Sequence, residues 1–139
     1  MILFHKITHE ILSREGKRYK WPPCNCQSCQ RPMWGHGYVA RFFSCFAQQL
    51  FLKRYRCPTC GTVATSRPDG YWAFIRSSIN QIYQALKTRL TSGRWPPDQP
   101  RQRCGHWIRR FIVHAKMSCQ HDLPTFLDHC LNKNLRFFP

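Results

Sequence analysis

The sequence predicts an α+β protein: a small zinc ribbon, meaning an antiparallel β-hairpin closed by a four-cysteine zinc site, followed by an all-α, helix-turn-helix-like bundle. Three observations carry that expectation. Two Cys-x2-Cys pairs, Cys26/Cys29 and Cys57/Cys60, stand 27 residues apart. Two runs rich in aromatic and branched residues lie between them, as strands require. From residue 71 onward the apolar residues recur every three or four positions, the period of an amphipathic helix. The expected division is therefore residues 1–70 for the ribbon with its N-terminal arm and residues 71–139 for the helical domain.

Residues 1–22 are mixed and partly apolar, with the basic run GKRYK before Trp21-Pro22-Pro23. They read as a short strand or irregular arm leading into the first cysteines. HGYVARFF (36–43) and LFLKRYRC (50–57) read as the two strands of a hairpin, joined by SCFAQQ. In YWAFIRSSINQIYQALKTRLTSG (71–93), Ile75, Ile79, Ile82, Leu86 and Leu90 form one stripe, and Gly93 suits a helix end. After the stiff loop RWPPDQP, residues 100–116 repeat the pattern with Cys104, Ile108, Phe111 and Ala115 on the stripe and Trp107 beside it. Asp98 or Gln99 is the expected cap, with Pro100 in the first turn. A last short helix is expected from Pro124 to about Asn132, burying Phe126, Leu127, Cys130 and Leu131.

Two thiolates with two residues between them can point at one ion while the backbone turn donates N–H groups to their sulfurs. Two such knuckles close a tetrahedral site that suits one Zn2+. Four thiolates leave no open position for water or substrate, so the site reads as structural. Cys57-Pro58-Thr59-Cys60-Gly61 is the stronger knuckle, because the glycine lets the chain turn away from the metal. Three cysteines compete for the other: Cys24, Cys26 and Cys29. Cys26 and Cys29 match the spacing of the second pair; a Cys24-x4-Cys29 arrangement is the alternative. A second group, Cys104, His106, His114, Cys119, His121, His129 and Cys130, has irregular spacing and reads as core thiols and surface imidazoles. His36 reads as a strand histidine rather than a ligand.

Lys and Arg total 22 against 6 Asp and Glu, a formal charge of +16. A small chain this basic needs a polyanion, and nucleic acid is the usual one. The longest apolar-looking stretch, 42–52, is broken by Ser44, Gln48 and Gln49 and is short of the roughly 18–20 residues that span a bilayer. The N-terminus lacks the pattern of a signal peptide. A reducing, cytoplasmic and nucleoid-associated setting is expected, where nine cysteines serve as ligands and buried thiols rather than disulfides.

CQSCQRPMWGHGYVARFF followed by LFLKRYRCPTCGTVATSRP resembles the N-terminal zinc ribbon of bacterial insertion-sequence transposases and related stand-alone zinc-ribbon proteins. His36-Gly37-Tyr38 and Arg41 match the family's first strand; Arg54, Tyr55, Arg56, Cys57, Cys60 and Gly61 match its second. In that family a helix-turn-helix segment follows, with an Arg-Trp-like motif that Trp107-Ile108-Arg109-Arg110-Phe111 resembles. The resemblance covers roughly residues 20–116. It implies double-stranded DNA as partner and mobile-element origin. The connection 93–99 is longer than a tight helix-turn-helix uses, and the chain shows no acidic triad among its Asp and Glu.

The helix over 100–116 is the expected reader, with Arg101, Arg103, His106, Arg109 and Arg110 outward. Arg41, Lys53, Arg54 and Arg56 form a second expected surface on the hairpin, flanking the cysteines, where one or two exposed aromatic rings can stack on an unpaired base. The competing expectation is a subunit that holds RNA or protein partners within a larger nucleoprotein complex. A protein adaptor ranks behind both, and an enzyme last: no phosphate loop, nucleophile–base pair or carboxylate pair is evident.

Overall fold

A computed structural model of the chain describes residues 1–44, 46–133 and 135. Cys45, part of the expected hairpin loop, lies outside the described residues. The chain forms two compact units, Met1–Arg76 and a second beginning at Ser77. Among the described residues the fold is α+β, with four strands in one sheet and four helices.

In the first unit, β1 (Ile2–His5), β2 (Trp34–Arg41), β3 (Leu50–Arg56) and β4 (Val63–Pro68) lie in the order β1-β4-β3-β2. The hairpin expected between the cysteine pairs is β2 and β3, antiparallel, from Trp34↔Arg56 to Arg41↔Leu50. The register slips between Gly35 and Tyr38. The extra residue is absorbed at His36-Gly37, where Gly37 takes φ +77°, a conformation glycine tolerates at such a bulge. β4 returns antiparallel to β3 with Tyr55↔Ala64 and Arg54↔Thr65. β1 then joins β4 in parallel, Ile2↔Thr65 through His5↔Pro68.

The N-terminal arm is thus a sheet strand, followed by a helix the sequence reading did not anticipate. This helix, α1 (His9–Glu15), runs into a 3-10 turn at Gly16–Arg18. It is anchored by Leu12, which is 1% exposed and packs with Ile7, Phe43, Leu50, Leu52 and Tyr71. Burial of that one side chain stabilises the unit by about 2 kcal/mol. The opposite side-chain set, Leu3, Tyr55 and Ala64, packs around Cys26, Cys57 and Met33. Trp21 is half-buried and touches both clusters.

The second unit begins with α2 (Ile79–Ser92). The helix of about 18 residues expected within 71–93 is shorter, 14 residues, and Ile75 of the expected stripe lies before its start. Tyr71 and Trp72 are buried, and Tyr71 packs among residues of the sheet unit. Ser78 halts the helix with a capping box: its hydroxyl accepts from the Gln81 N–H, while the Gln81 side chain accepts from the Ser78 N–H. Gly93 closes α2 at φ +70°, its N–H donating to the Arg89 carbonyl at 3.1 Å.

The third helix, α3 (Arg101–Met117), buries Cys104, Trp107, Phe111 and Ala115. The buried stripe is therefore rotated from the expected one: Trp107 is inside and Ile108 only half-buried. Pro100 itself occupies the N-cap, without a side-chain cap, rather than Asp98 or Gln99. The last helix, α4 (Leu123–Asn132), is capped by the Asp122 side chain, which accepts from the Thr125 N–H, and buries Phe126, Leu127 and Cys130. Leu131, expected inside, is exposed. α2 packs against both α3 and α4, and Phe111 stacks on Phe126 at 5.8 Å between ring centres. No helix among the described residues is long and apolar enough to cross a membrane.

Candidate functional site

The two cysteine knuckles are built alike. In the first, the Gln30 N–H donates to the Cys26 carbonyl at 2.8 Å and the Cys26 N–H to the Arg31 carbonyl at 2.8 Å. In the second, the Gly61 N–H donates to the Cys57 carbonyl at 3.1 Å and the Cys57 N–H to the Thr62 carbonyl at 2.9 Å. The residue after each second cysteine is left-handed, Gln30 at φ +58° and Gly61 at φ +73°. This shared pattern aims the leading and trailing sulfur of each knuckle at a common point. The Sγ atoms of Cys26, Cys29, Cys57 and Cys60 all lie within 4.8 Å of one another. The close pairs are Cys26–Cys60 at 3.5 Å, Cys29–Cys57 at 3.4 Å and Cys29–Cys60 at 3.8 Å. A tetrahedral ion with metal–sulfur bonds of about 2.3 Å spaces its ligands about 3.8 Å apart. The four thiols can therefore hold one metal ion.

Cys24 is not part of this group. Its carbonyl accepts from the Met33 N–H at 3.0 Å, and its side chain packs against the cluster that holds Cys26 and Tyr55. Burial, and then the adjacent Cys26, push its thiol up. It serves the backbone and packing of the first knuckle.

The backbone polarises the cluster as a metal site requires. The N–H groups of Cys29 and Ser28 point at the Cys26 sulfur and bring that thiol down to about 6. The N–H groups of Cys60 and Thr59 lower the Cys57 thiol from its ordinary value, against the opposing effect of burial. At Cys29 the Arg31 N–H pulls downward. The Cys57 thiol, burial and the other two sulfurs outweigh it and push the group up to about 12. The backbone thus favours the thiolate form at Cys26 and Cys57, and metal binding must displace the proton that Cys29 holds.

Gln30 occupies a position for which the second knuckle uses glycine. A left-handed backbone costs a side-chain-bearing residue about 1–2 kcal/mol, and glycine's extra chain entropy returns about 0.5–1 kcal/mol of that. Gln30→Gly should therefore stabilise the metal-loaded protein by up to about 1 kcal/mol, raising its melting temperature by a few degrees. A lower melting temperature would mean that the Gln30 amide, which donates to the Gln27 carbonyl at 3.2 Å, outweighs the strain.

The basic residues divide. Arg101, Arg103, His106, Arg109 and Arg110 are all exposed on α3, away from its buried stripe. The first turn of α3 carries no acidic residue and no side-chain cap. Arg101 and Arg103 thus stand at the positive end of the helix dipole, where cations are unfavourable unless an anion is present. The hairpin set does not assemble into one patch flanking the cysteines. Arg54 and Arg56 pair with Thr65 and Val63 and share their face of the sheet. Lys53 falls on the alternate face, its ammonium 4.6 Å from the Tyr38 ring centre. Arg41 pairs with Leu50, at the end of the hairpin remote from Cys57. The reason is the period of two along a strand, which sends adjacent cations to opposite faces. His36 sits exposed in the bulge and is outside the metal group. Of the second Cys/His group, Cys104 and Cys130 are core residues and His114 and His129 stack on Phe126. Among the described residues they form no further metal group.

No protein-family model, curated protein or solved structure matches the chain. The class it belongs to is defined by fold and site alone: an α+β protein of two compact units with a four-cysteine group able to bind a metal ion.

Proposed function

We propose that the chain is a double-stranded DNA-binding module stabilised by one structural zinc. On this reading the cysteine-closed hairpin is a zinc ribbon. Four thiolates at tetrahedral spacing suit Zn2+ above harder cations, and a filled sphere gives the ion a structural role. α2 and α3 then form a loose helix-turn-helix with α3 in the major groove. The likeness to insertion-sequence transposases supports the same reading and suggests a mobile-element origin.

The observation that carries it is α3. Its apolar stripe is buried, and its exposed surface presents four arginines and a histidine with no acid in the first turn. The uncapped N–H groups and the local excess of positive charge both favour a phosphate at that end. Arginines further along can read guanine edges. The overall charge of +16 supplies the long-range attraction.

The test is a binding selection from a randomised duplex pool, with a salt titration on the enriched sequences against structured RNA. An enriched motif bound at least a thousandfold tighter than random duplex is the expected result. Equal binding of all duplexes, or preference for RNA, would replace sequence reading with backbone holding inside a larger nucleoprotein complex.

A further inference from the structure

One face of the sheet in the first unit carries an open groove of about 650 Å³. By register it is the face that holds Ile2, Thr65 and Arg67. Its character is set by six side chains: Arg41, Arg67 and Arg76, and Phe42, Phe43 and Phe74. Of these, Arg67, Arg76 and Phe74 lie outside the surfaces expected from the sequence to contact nucleic acid.

Phe74 is the unusual residue. It is 83% exposed and takes φ +65°. A bulky side chain on left-handed backbone is a rare, strained arrangement. Here it brings no compensating burial. The loop is nevertheless held firmly. A guanidinium N–H of Arg67 donates to the Ile75 carbonyl, the Ser44 N–H to the Arg76 carbonyl at 3.0 Å, and the Ile75 N–H to the Trp72 carbonyl at 3.2 Å. Arg67 is itself fixed by stacking over Phe43, 5.1 Å from its ring centre, and over Tyr71, at 5.8 Å. The clamps keep an exposed ring at the groove. Phe42, 53% exposed, is a second ring there.

The charge is equally lopsided. Among the described residues, no ion pair involves Arg41, Arg67 or Arg76. Arg41 lies close enough to Arg67 for its like charge to oppose that of the guanidinium. Clustered cations without a carboxylate call for an anion, and solvent-facing rings call for a planar apolar partner. One ligand class offers both: a base with its flanking phosphates. The volume suits a nucleotide-sized occupant.

We propose that this groove holds an unpaired nucleotide of a single strand, its base stacked on Phe74 and Phe42 and its phosphates on Arg41 and Arg76, with Arg67 as a positioning residue. This rests on the nucleic-acid reading above but assigns a separate surface and a separate strand state from those of α3. A protein that grips a duplex through one element and an unpaired base through another is suited to junctions, flaps or melted ends.

The experiment measures anisotropy of labelled oligo(dT), oligo(U) and an abasic strand of equal length, alongside duplex, on the zinc-loaded full chain. The wild type should bind oligo(dT) or oligo(U) at least tenfold tighter than the abasic strand, because stacking adds to charge. Which of the two binds tighter tells DNA from RNA as the source of the strand, and both outcomes support the site. Phe74→Ala should weaken single-strand binding about fivefold to a hundredfold and leave duplex binding unchanged. Phe74→Gly should do the same while raising the melting temperature, since it removes the backbone strain. Arg76→Ala should flatten the salt dependence for the single strand alone. Wild-type single-strand affinity in these variants, or equal binding of abasic and normal strands, would overturn the groove while leaving duplex recognition standing. Failure to bind any of the four nucleic acids would overturn both.

Discussion

Cys26→Ser will abolish metal binding, and Cys24→Ser will leave it intact. The two residues are two positions apart and equally plausible by composition, so the pair of variants isolates geometry. The Cys26 sulfur lies 3.5 Å from that of Cys60 and receives the N–H groups of its own knuckle. Cys24 offers the site only its carbonyl and its bulk. Serine in place of a ligand leaves three thiolates and a hydroxyl that does not ionise in this range. Zinc-finger peptides hold their structural zinc with an apparent 10–16 kcal/mol at pH 7, comparable with the whole stability of a small domain, about 5–15 kcal/mol. Losing the ion should therefore unfold the first unit rather than loosen it. Metal stoichiometry by mass spectrometry should fall from one to zero in Cys26→Ser and in Cys57→Ser. Limited proteolysis should then cut within residues 20–70. Full metal content in Cys26→Ser, or its loss in Cys24→Ser, would reassign the first knuckle to the Cys24-x4-Cys29 spacing.

The metal group was legible in the sequence because its chemistry fixes its spacing. A two-residue gap is what lets both sulfurs of a knuckle meet one ion, and tertiary context cannot disguise it. The hairpin and α3 were legible for a similar reason, since each repeats its period several times. What escaped was short or non-local. Seven residues of α1 complete only two turns, so Ile11 and Leu12 are too short a stretch to show a helical period. β4 buries Ala64, Ser66 and Pro68, which carry almost no hydrophobic signal. Its parallel pairing with β1 joins residues some sixty positions apart. Tyr71 and Trp72 lie in an apolar run that continues towards α2, yet the Ser78 capping box ends that helix and leaves both residues upstream of it. The same interruption frees residues 73–76 to form the clamped loop at the groove. No periodicity can reveal a left-handed phenylalanine.

Arg109→Ala with Arg110→Ala will weaken duplex binding without touching the fold, since both side chains are exposed and lie off the buried stripe of α3. How it weakens binding separates two roles for the same arginines. If they contact phosphates, each loss removes about 0.9 from the slope of log affinity against log salt, and all duplex sequences suffer alike. If they read bases, the loss is about 1–3 kcal/mol per contact and falls on particular positions of the site. The lysine variants sharpen the distinction. Arg109→Lys and Arg110→Lys keep the charge but lose the planar fork that pairs with the guanine edge. A phosphate contact should survive that change nearly intact, whereas a base contact should fail almost as badly as with alanine. We expect the lysine variants to hold the salt slope and lose sequence preference. Unchanged affinity in the double alanine variant would remove α3 from the interface and leave the sheet face, with Arg41, Arg54, Arg56 and Arg67, as the surface that meets nucleic acid.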